Sequence, residues 1–387
     1  MTTKTVADIN QYSGSSVNPL EHPEQLYELY SVPSFETGYP EIVKGKDIGS
    51  TKITVEEGDV LVCKINPRIN RVWVVKHNTE YPLLASSEWI VVRNKNIDSN
   101  YLKWYFSSPT FRTLLNSQVA GIGGSLTRAQ PKQVAKYSVP VPSRSEQQQV
   151  SENLDKVNEL IALRKEQLAK LAQLVKSRFI ELFGDPEHNE KAIPTLPMTE
   201  LCEIIDGDRG VNYPKQEEFS DNGFCLFLNA KNVTANGFSF ENCMFITAEK
   251  DKLLRKGKLS RGDVVLTTRG TIGNLAFYDG AVPYEHIRIN SGMVILRMKR
   301  ECITERFFIE QFKMQLASIK EKIASGSAQP QLPISTMNKI VMLVPDVDLQ
   351  HQFAAFVEQV DKSKMAIQQS LDKLELLKKS LMQEYFG

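Results

Sequence analysis

Cysteine is scarce: Cys63, Cys202, Cys225, Cys243 and Cys302 are scattered, odd in number and form no C-x-x-C pair. A disulfide framework and a cysteine zinc site are therefore not expected, and reduced thiols in a cytoplasmic protein fit this usage. The histidines His22, His77, His188, His286 and His351 have no metal-ligand spacing. No apolar run approaches the roughly 18–20 residues of a membrane span. The opening residues, MTTKTVADINQYSGSS, lack a basic-then-apolar signal, so secretion is not expected. Neither sign of charge dominates, since the formal net charge is +1 over 387 residues and no region is strongly basic. Such balance does not exclude a nucleic-acid partner, which needs only a local basic surface, but it makes non-specific affinity weak. Recognisable catalytic patterns are missing too. There is no G-x-S-x-G elbow and no Asn-Pro-Pro-aromatic methyltransferase signature. Gly121-Ile-Gly-Gly lacks the strand-then-helix setting of a dinucleotide loop and reads as a polar turn. Arg269-Gly-Thr-Ile-Gly lacks the Gly-Lys-Ser/Thr of a phosphate loop. Neither an enzyme, a metal site nor a resident cofactor is expected.

What the chain does have is a duplication. Residues 136–184 and 339–387 align without a gap at an offset of 203, as Pro142 and Pro345 show. The pairs include Gln147/Gln350, Val157/Val360, Leu168/Leu371, Leu174/Leu377, Phe183/Phe386 and Gly184/Gly387. A weaker echo relates Glu57-Gly-Asp-Val-Leu to Arg261-Gly-Asp-Val-Val-Leu. The expected layout is a globular domain over 1–142, a spacer helix over 143–184, a second domain over 185–345 and a second helix over 346–387. Ser145 with Gln148, and Asp348, are the expected helix caps, and Gly184 with Pro186 the stop of helix one. Strand-like runs (EEGDVLVCKI, RVWVVKH and EWIVVR; then FCLFLNAKNV, RGDVVLTT and SGMVILRMK) alternate with helical stretches at 99–116 and 304–324, so both domains read as mixed α/β within an α+β chain.

The long helices carry heptads. Leu154, Ile161, Leu168, Val175 and Leu182 recur every seventh residue in helix one, as do Phe353, Val360, Ile367, Leu374 and Leu381 in helix two. These are the tracks of a coiled coil, and the connectivity favours an antiparallel pair. In the full-overlap register Arg164 faces Leu371, Arg178 faces Val357, Lys364 faces Leu171 and Lys378 faces Val157. A one-heptad slip brings like charges together, which disfavours it. A helix from Ser145 to Phe183 is about 58 Å long at ~1.5 Å per residue, enough to act as a ruler along a duplex.

Two segments suit nucleic acid. Lys64-Ile-Asn-Pro-Arg-Ile-Asn-Arg71 joins two strand-like runs and mixes arginine with asparagine, the side chains that pair with guanine and adenine edges. Its candidate DNA contacts are Lys64, Asn66, Arg68, Asn70 and Arg71. In the second domain the candidates are Lys231, Thr268 and Arg269, with Arg255, Lys256, Lys258 and Arg261 forming a basic run.

Several motifs together carry a resemblance. They are Gly123-Gly-Ser-Leu-Thr-Arg-Ala-Gln-Pro131 ahead of Val-Pro-Val-Pro-x4-Gln-Gln-Gln, Ile204-Ile-Asp-Gly-Asp-Arg-Gly210, Arg269-Gly-Thr-Ile-Gly273, Arg288-Ile-Asn-Ser-Gly292, and Gly326-Ser-Ala-Gln-Pro-Gln-Leu-Pro333. With the duplication, they make the chain resemble, over essentially its whole length, the DNA-specificity subunit of type I restriction–modification systems. The resemblance implies two target-recognition domains, paired antiparallel helices, and a non-catalytic reader of a split target in double-stranded DNA. It also implies two modification subunits that dock on the helices and bring S-adenosylmethionine, and restriction subunits that join to cleave. The rival reading is a coiled-coil protein-interaction scaffold without direct base readout. One departure stands out. Domain two opens with the helix-like Met198-Thr-Glu-Leu-Cys-Glu-Ile-Ile, whereas domain one opens with Asn10-Gln-Tyr and Pro19-Leu-Glu-His-Pro, so domain one is expected to lack that opening helix.

Overall fold

The computed structural model describes residues 2–117, 119–120, 127–299, 301–324 and 331–387. The Gly121-Ile-Gly-Gly turn, residues 123–126 of the first glycine motif and residues 326–330 of the last lie outside them. The chain divides into two compact units, residues 1–166 with 368–387, and residues 167–367. Each long helix is divided between the two.

Unit 1 runs β1 (Thr2–Thr5), α1 (Val6–Ile9), β2 (Ser16–Val17), β3 (Leu26–Tyr30), β4 (Glu41–Lys44), β5 (Lys52–Thr54), β6 (Val60–Cys63), β7 (Val72–Val74), β8 (Leu83–Ala85), β9 (Trp89–Val92), α2 (Ser99–Phe106), α3 (Pro109–Ser117), β10 (Val119–Ala120), β11 (Arg128–Ala129), α4 (Pro131–Val134), β12 (Ser138–Val141) and the start of α5 (Arg144–Phe183). Its sheets include a five-stranded one ordered β2-β5-β8-β3-β4 and a three-stranded one ordered β7-β6-β9. Unit 2 runs β13 (Thr195–Pro197), α6 (Met198–Leu201), β14 (Cys202–Asp206), β15 (Cys225–Phe227), β16 (Val233–Thr234), β17 (Gly237–Phe238), β18 (Phe245–Ile246), α7 (Ala248–Leu253), β19 (Val264–Thr267), β20 (Leu275–Phe277), β21 (Ile287–Arg288), β22 (Met293–Met298), α8 (Glu305–Ala324), α9 (Ile334–Met337), β23 (Val341–Leu343) and the first half of α10 (Val347–Phe386). Here the main sheet is ordered β14-β22-β19-β20. The mixed α/β character of both domains and the two long helices agree with the sequence expectation.

The same physics sets the middle of both units. In β6, Val60 and Val62 enter a core with Phe106, Leu154 and Phe386, while Leu61 and Cys63 enter another with Tyr30, Val75 and Trp89. In β19, Val264 and Leu266 face Phe179, Phe307 and Phe353, and Val265 faces Leu226, Tyr278 and Ile287. Both faces of each strand are buried, which is why the sequence shows an unbroken apolar run rather than alternation. The glycine-aspartate echo shapes the preceding turn. Gly58 (φ 88°) and Gly262 (φ 90°) adopt the left-handed conformation that glycine tolerates best. Asp59 accepts the Glu56 N–H (2.9 Å) and is gripped by Arg93, the residue just after β9, at 2.7 Å through two guanidinium nitrogens. Asp263 accepts the Ser260 N–H (2.7 Å) and is gripped by Arg297 from β22 at 2.9 and 2.8 Å.

Gln147 and Gln350 do matching work. Gln147 donates to Pro142 O (2.9 Å) and accepts from Asp98 N (2.9 Å). Gln350 donates to Pro345 O (2.8 Å) and accepts from Thr304 N (2.8 Å). Each glutamine thus pins the base of its long helix to the start of the domain's own helix.

Two local expectations need correction. Domain one does open with a helix: β1 pairs with β12, and α1 follows with Thr5 and Asp8 in a reciprocal capping box. β13 and α6 repeat this arrangement against β23 in domain two. Both long helices keep the expected extent to within a residue, but their caps lie two residues earlier than read from the sequence. Ser143 and Glu146 form the capping box, with the Ser143 N–H donating to the Glu146 carboxylate at 2.8 Å. Asp346 accepts the Asp348 N–H at 2.9 Å at the start of α10. A charged carboxylate is the stronger capping partner and outcompetes the amide of Gln148. Gly184 (φ 78°) ends α5 as read.

Within each unit the long helices pack antiparallel. In unit 1, Asn153 donates to Tyr385 (3.0 Å), Lys378 donates to Asn158 (2.6 Å), and Arg164 donates to Ser370 (3.2 Å). Arg164 and Lys378 thus lie one residue from the expected Leu371 and Val157. In unit 2, Phe179 and Phe183 meet Phe353 edge-on at 5.5 and 5.6 Å. Of the heptad residues, Leu154, Ile161, Val175, Phe353 and Val360 are buried, whereas Leu168, Leu182, Ile367, Leu374 and Leu381 are half-buried. Burial is deepest where the helices also serve a domain core, so Phe179, Phe183, Met382 and Phe386, none of them on those tracks, join the packing.

Lys378 lies over the Trp104 ring (5.0 Å), which Lys103 also approaches (4.6 Å), and Lys165 is nearby in a pair with Glu375 (3.0 Å). Burial, then the Lys165 and Lys103 charges, pull its ammonium pKa down, with only Glu375 opposing. A lysine depressed on folding carries its penalty at every pH below its folded pKa and sheds it as pH rises toward the unfolded value of about 10.5. Lys378→Met is therefore expected to raise Tm by about 2–4 °C at pH 7. That advantage should shrink in thermal melts as the pH approaches 10.5.

Candidate nucleic-acid interface

The two segments singled out from sequence occupy the same place in the two units. One is the turn between β6 and β7, the other the turn between β19 and β20. Lys64 N–H donates to Glu88 O (3.0 Å), and Thr268 N–H to Gly292 O (2.8 Å). Ile65 bridges Arg128 as Arg269 bridges Gln331. The offset of 203–204 is kept although the turns share no sequence pattern.

Each turn needs two left-handed residues. The first uses Asn66 and Asn70, both at φ 47°, around a buried Pro67, and asparagine tolerates that region better than most residues. The second uses Gly270 (φ 70°) and Gly273 (φ 82°). Thr267 holds this turn from inside by accepting the Asn274 N–H (2.9 Å) and donating to Thr271 O. Thr268 is only 5% exposed and donates to Gly292 O at 3.0 Å, so its hydroxyl is engaged beneath the turn.

The other candidates differ in what they have left to offer. Arg71 is paired with Glu36 at 3.0 Å. Lys64, Asn66 and Asn70 are half-buried, and the Asn70 Oδ1 is buried without a hydrogen-bond partner. Lys231, Arg68 and Arg269 are exposed. In the basic run, Lys258 is tied to Asp251 (2.8 Å), and Arg261 is spent on the Val282 and Tyr284 carbonyls over the Tyr278 ring (4.1 Å). Arg288 of the family-like motif is buried with Asp251 (2.5 Å), and is structural. Burial opposes ionisation of Asp251, but Lys258 and Arg288 outweigh it and hold the carboxyl below its ordinary range.

Most arginines are used internally: on carboxylates (Arg93, Arg128, Arg144, Arg178, Arg209, Arg297, Arg306), on carbonyls or on hydroxyls. Among the described residues, only Arg68 and Arg112 in unit 1 and Arg255 and Arg269 in unit 2 have side chains with no hydrogen bond, ion pair or ring contact. Arg112 was missed in the sequence because it stands alone. Its signal lies in the amphipathic spacing of α3, which buries Phe111 and Leu115 and leaves Arg112 and Thr113 exposed.

In unit 2 the resembling motifs converge on this turn. Asp206 takes Arg209 at 3.0 Å, and Arg209 also donates to Ser291 O (3.2 Å). Asp208 accepts from Gly210 N and Arg255 N, both at 2.7 Å. Burial works against the Asp208 charge, yet N–H groups from Gly210, Arg255 and Lys256 hold the carboxyl below its ordinary range. Loops at one end of the sheet are thereby fastened together, with Arg269 at their edge beside Gly292.

Among the described residues, no group of three or more His, Cys, Asp or Glu could hold a metal, and no helix is long and apolar enough to cross a membrane. The cysteines are free, and burial pushes the Cys202 and Cys225 thiols up to about 12, which keeps them protonated and inert.

Comparisons with known proteins agree with this geometry. A family model described as "Type I restriction modification DNA specificity domain" matches residues 26–173 and 195–376. A relative, the type I restriction enzyme MjaIX specificity subunit of Methanocaldococcus jannaschii, is 22% identical over 282 residues, which are 69% of this chain and 63% of that protein. The chain thus spans under two thirds of that relative's length. Two solved structures share the fold. One, from work on complex assembly and conformational transition of the type I R-M system, has a TM-score of 0.59 at 16% identity and is covered over 97% of its chain, against 100% of this one. The other, a type I restriction–modification S subunit from M. genitalium, has a TM-score of 0.56 at 14% identity, with 96% and 100% covered. With both of its domains matched, the chain belongs to the type I restriction–modification DNA-specificity (S) subunit family.

Proposed function

We propose that this chain is the non-catalytic DNA reader of a type I restriction–modification complex, each unit reading one half of a bipartite target. The observation that carries this reading is the equivalence of the Arg68 and Arg269 turns: an unpaired guanidinium stands on the same turn of each duplicated domain, though not at the same register position. A free arginine on a pinned turn suits bidentate contact with guanine in the major groove. Arg71 and Thr268 then serve to hold the turns, while Lys64, Asn66, Asn70 and Lys231 flank the contact. The paired helices set the interval between the half-sites. They also offer exposed apolar side chains for two modification subunits: Leu160, Leu163, Leu376 and Leu377 in unit 1, and Leu174, Ile180 and Met365 in unit 2. Those subunits would carry S-adenosylmethionine, and restriction subunits would complete the complex in the cytoplasm.

Inserting one heptad at the middle of both long helices tests the reading. Seven residues add about 10 Å of helix, or about three base pairs at ~3.4 Å each. Mapping methylated positions in DNA exposed to the chain with its modification subunits should show the same half-sites further apart. An unchanged gap would reject the ruler, and methylation without any sequence preference would favour the scaffold reading.

A further inference from the structure

We propose that the helix packed behind each reading turn carries the cation that seats the DNA backbone of that half-site: Arg112 on α3 and Lys320 on α8. The inference rests on the function proposed above. In unit 1, Asn116 of α3 donates to Pro67 O at 3.4 Å, which fixes the helix against the Arg68 turn. Between them lies an open cavity of about 720 Å³, lined by the turn residues Ile69 and Asn70 and by Arg112, Thr113, Asn116 and Ser117 of α3. No carboxylate lines it. The Thr113 hydroxyl donates to Pro109 O (2.9 Å), the Ser117 hydroxyl to Leu114 O (2.7 Å), and the Asn116 amide to Arg112 O (2.7 Å). The helix backbone thus consumes the neutral donors, and the donors left unspent on this face are those of the Arg112 guanidinium. A lone cation in a groove without acidic groups selects an anion, and beside a base-reading turn that anion is the phosphodiester.

Unit 2 reaches the same arrangement with different residues. Lys320 lies against Gly273 of the Arg269 turn so closely that a β-carbon at Gly273 would fall 2.3 Å from Lys320 Cε and 2.9 Å from Nζ. Gly273 is favoured by its positive φ, and its lack of a side chain lets the lysine tip lie against the turn. Among the described residues Lys320 has no ion-pair or hydrogen-bond partner. Each domain thus pairs a turn-borne arginine with a helix-borne cation, Arg68 with Arg112 and Arg269 with Lys320. This is the division expected when phosphate contacts position a protein and base contacts specify the sequence.

Backbone contacts leave a signature in salt dependence. The test measures binding of a random-sequence duplex to the chain assembled with its modification subunits, from 50 to 300 mM salt. Arg112→Ala and Lys320→Ala are each expected to lower the slope of log affinity against log salt by about 0.9. Each should weaken binding about tenfold near 100 mM and leave the methylated sequence unchanged. Lys44→Ala removes one charge already paired with Glu24 at 2.8 Å and should leave the slope alone. Wild-type slope and affinity in both variants would overturn the proposal while leaving the reading turns intact. Absence of duplex binding by the wild-type assembly would overturn the proposed function itself, and this inference with it.

Discussion

Arg269→Ala is expected to weaken binding to the cognate duplex by about 10–100-fold and to relax base preference at one position of one half-site. A bidentate arginine–guanine pair contributes ~1–3 kcal/mol of discrimination. Arg269 has no internal partner to lose, so its removal should not change Tm. Arg68→Ala should do the same in the other half-site. The measurement is a competition series in which each base pair of the mapped target is varied in turn. Preference lost at a single position, in opposite half-sites for the two variants, is the expected pattern. Uniform weakening across all sequences would move both residues to the backbone class, and unchanged affinity in both would remove them from the interface.

The largest effect on stability is expected from Asp263→Ala. The carboxylate is 1% exposed, closes the turn before β19 and takes both nitrogens of the Arg297 fork. Removing it orphans the Ser260 N–H and leaves the partly exposed Arg297 guanidinium with only the Lys258 carbonyl and the Ser260 hydroxyl as partners, for about 2–4 kcal/mol in all. Asp59→Ala should cost a similar amount through Arg93. Chemical denaturation checks both. Because the two carboxylates belong to different units, each variant should melt its own unit at lower denaturant and leave the other transition close to its original midpoint. Losses below about 1 kcal/mol would show that water reaches the freed arginine and that the pair is worth no more than a surface bridge.

How much of this was readable beforehand follows from the length scale of each signal. The duplication was legible because its carriers do the same job twice: Gln147 and Gln350 pin two helices, and Pro142 and Pro345 supply the carbonyls they hold. The central strands were legible because burial on both faces leaves only apolar residues. Short elements without such an apolar run were not. Neither α1 nor the β2 and β5 strands of the larger sheet complete a period long enough to stand above chance. The helix caps were misplaced by two residues because Ser143-x-x-Glu146 and Ser145-x-x-Gln148 both fit one pattern, and only the charge of Glu146 separates them. At the candidate site, sequence showed where arginines cluster but not which were spent. Arg71, Arg261 and Arg288 read like Arg269 until Glu36, the Val282 and Tyr284 carbonyls and Asp251 are seen to hold them, whereas Arg112, unremarked in its helix, is free.

The division of each long helix between two units bears on the order in which the chain can close as it is made. Unit 2 is one continuous stretch and can complete its core as soon as residue 367 is available. Most of unit 1 precedes unit 2 in the chain, yet its core includes Met382 and Phe386, with Tyr101 and Tyr105 packed at an angle against the latter at 5.6 and 5.7 Å. The part made before unit 2 must therefore wait for residues made after it, holding its aromatic surface uncovered in the meantime. This half of the molecule is the one most dependent on a chaperone during translation.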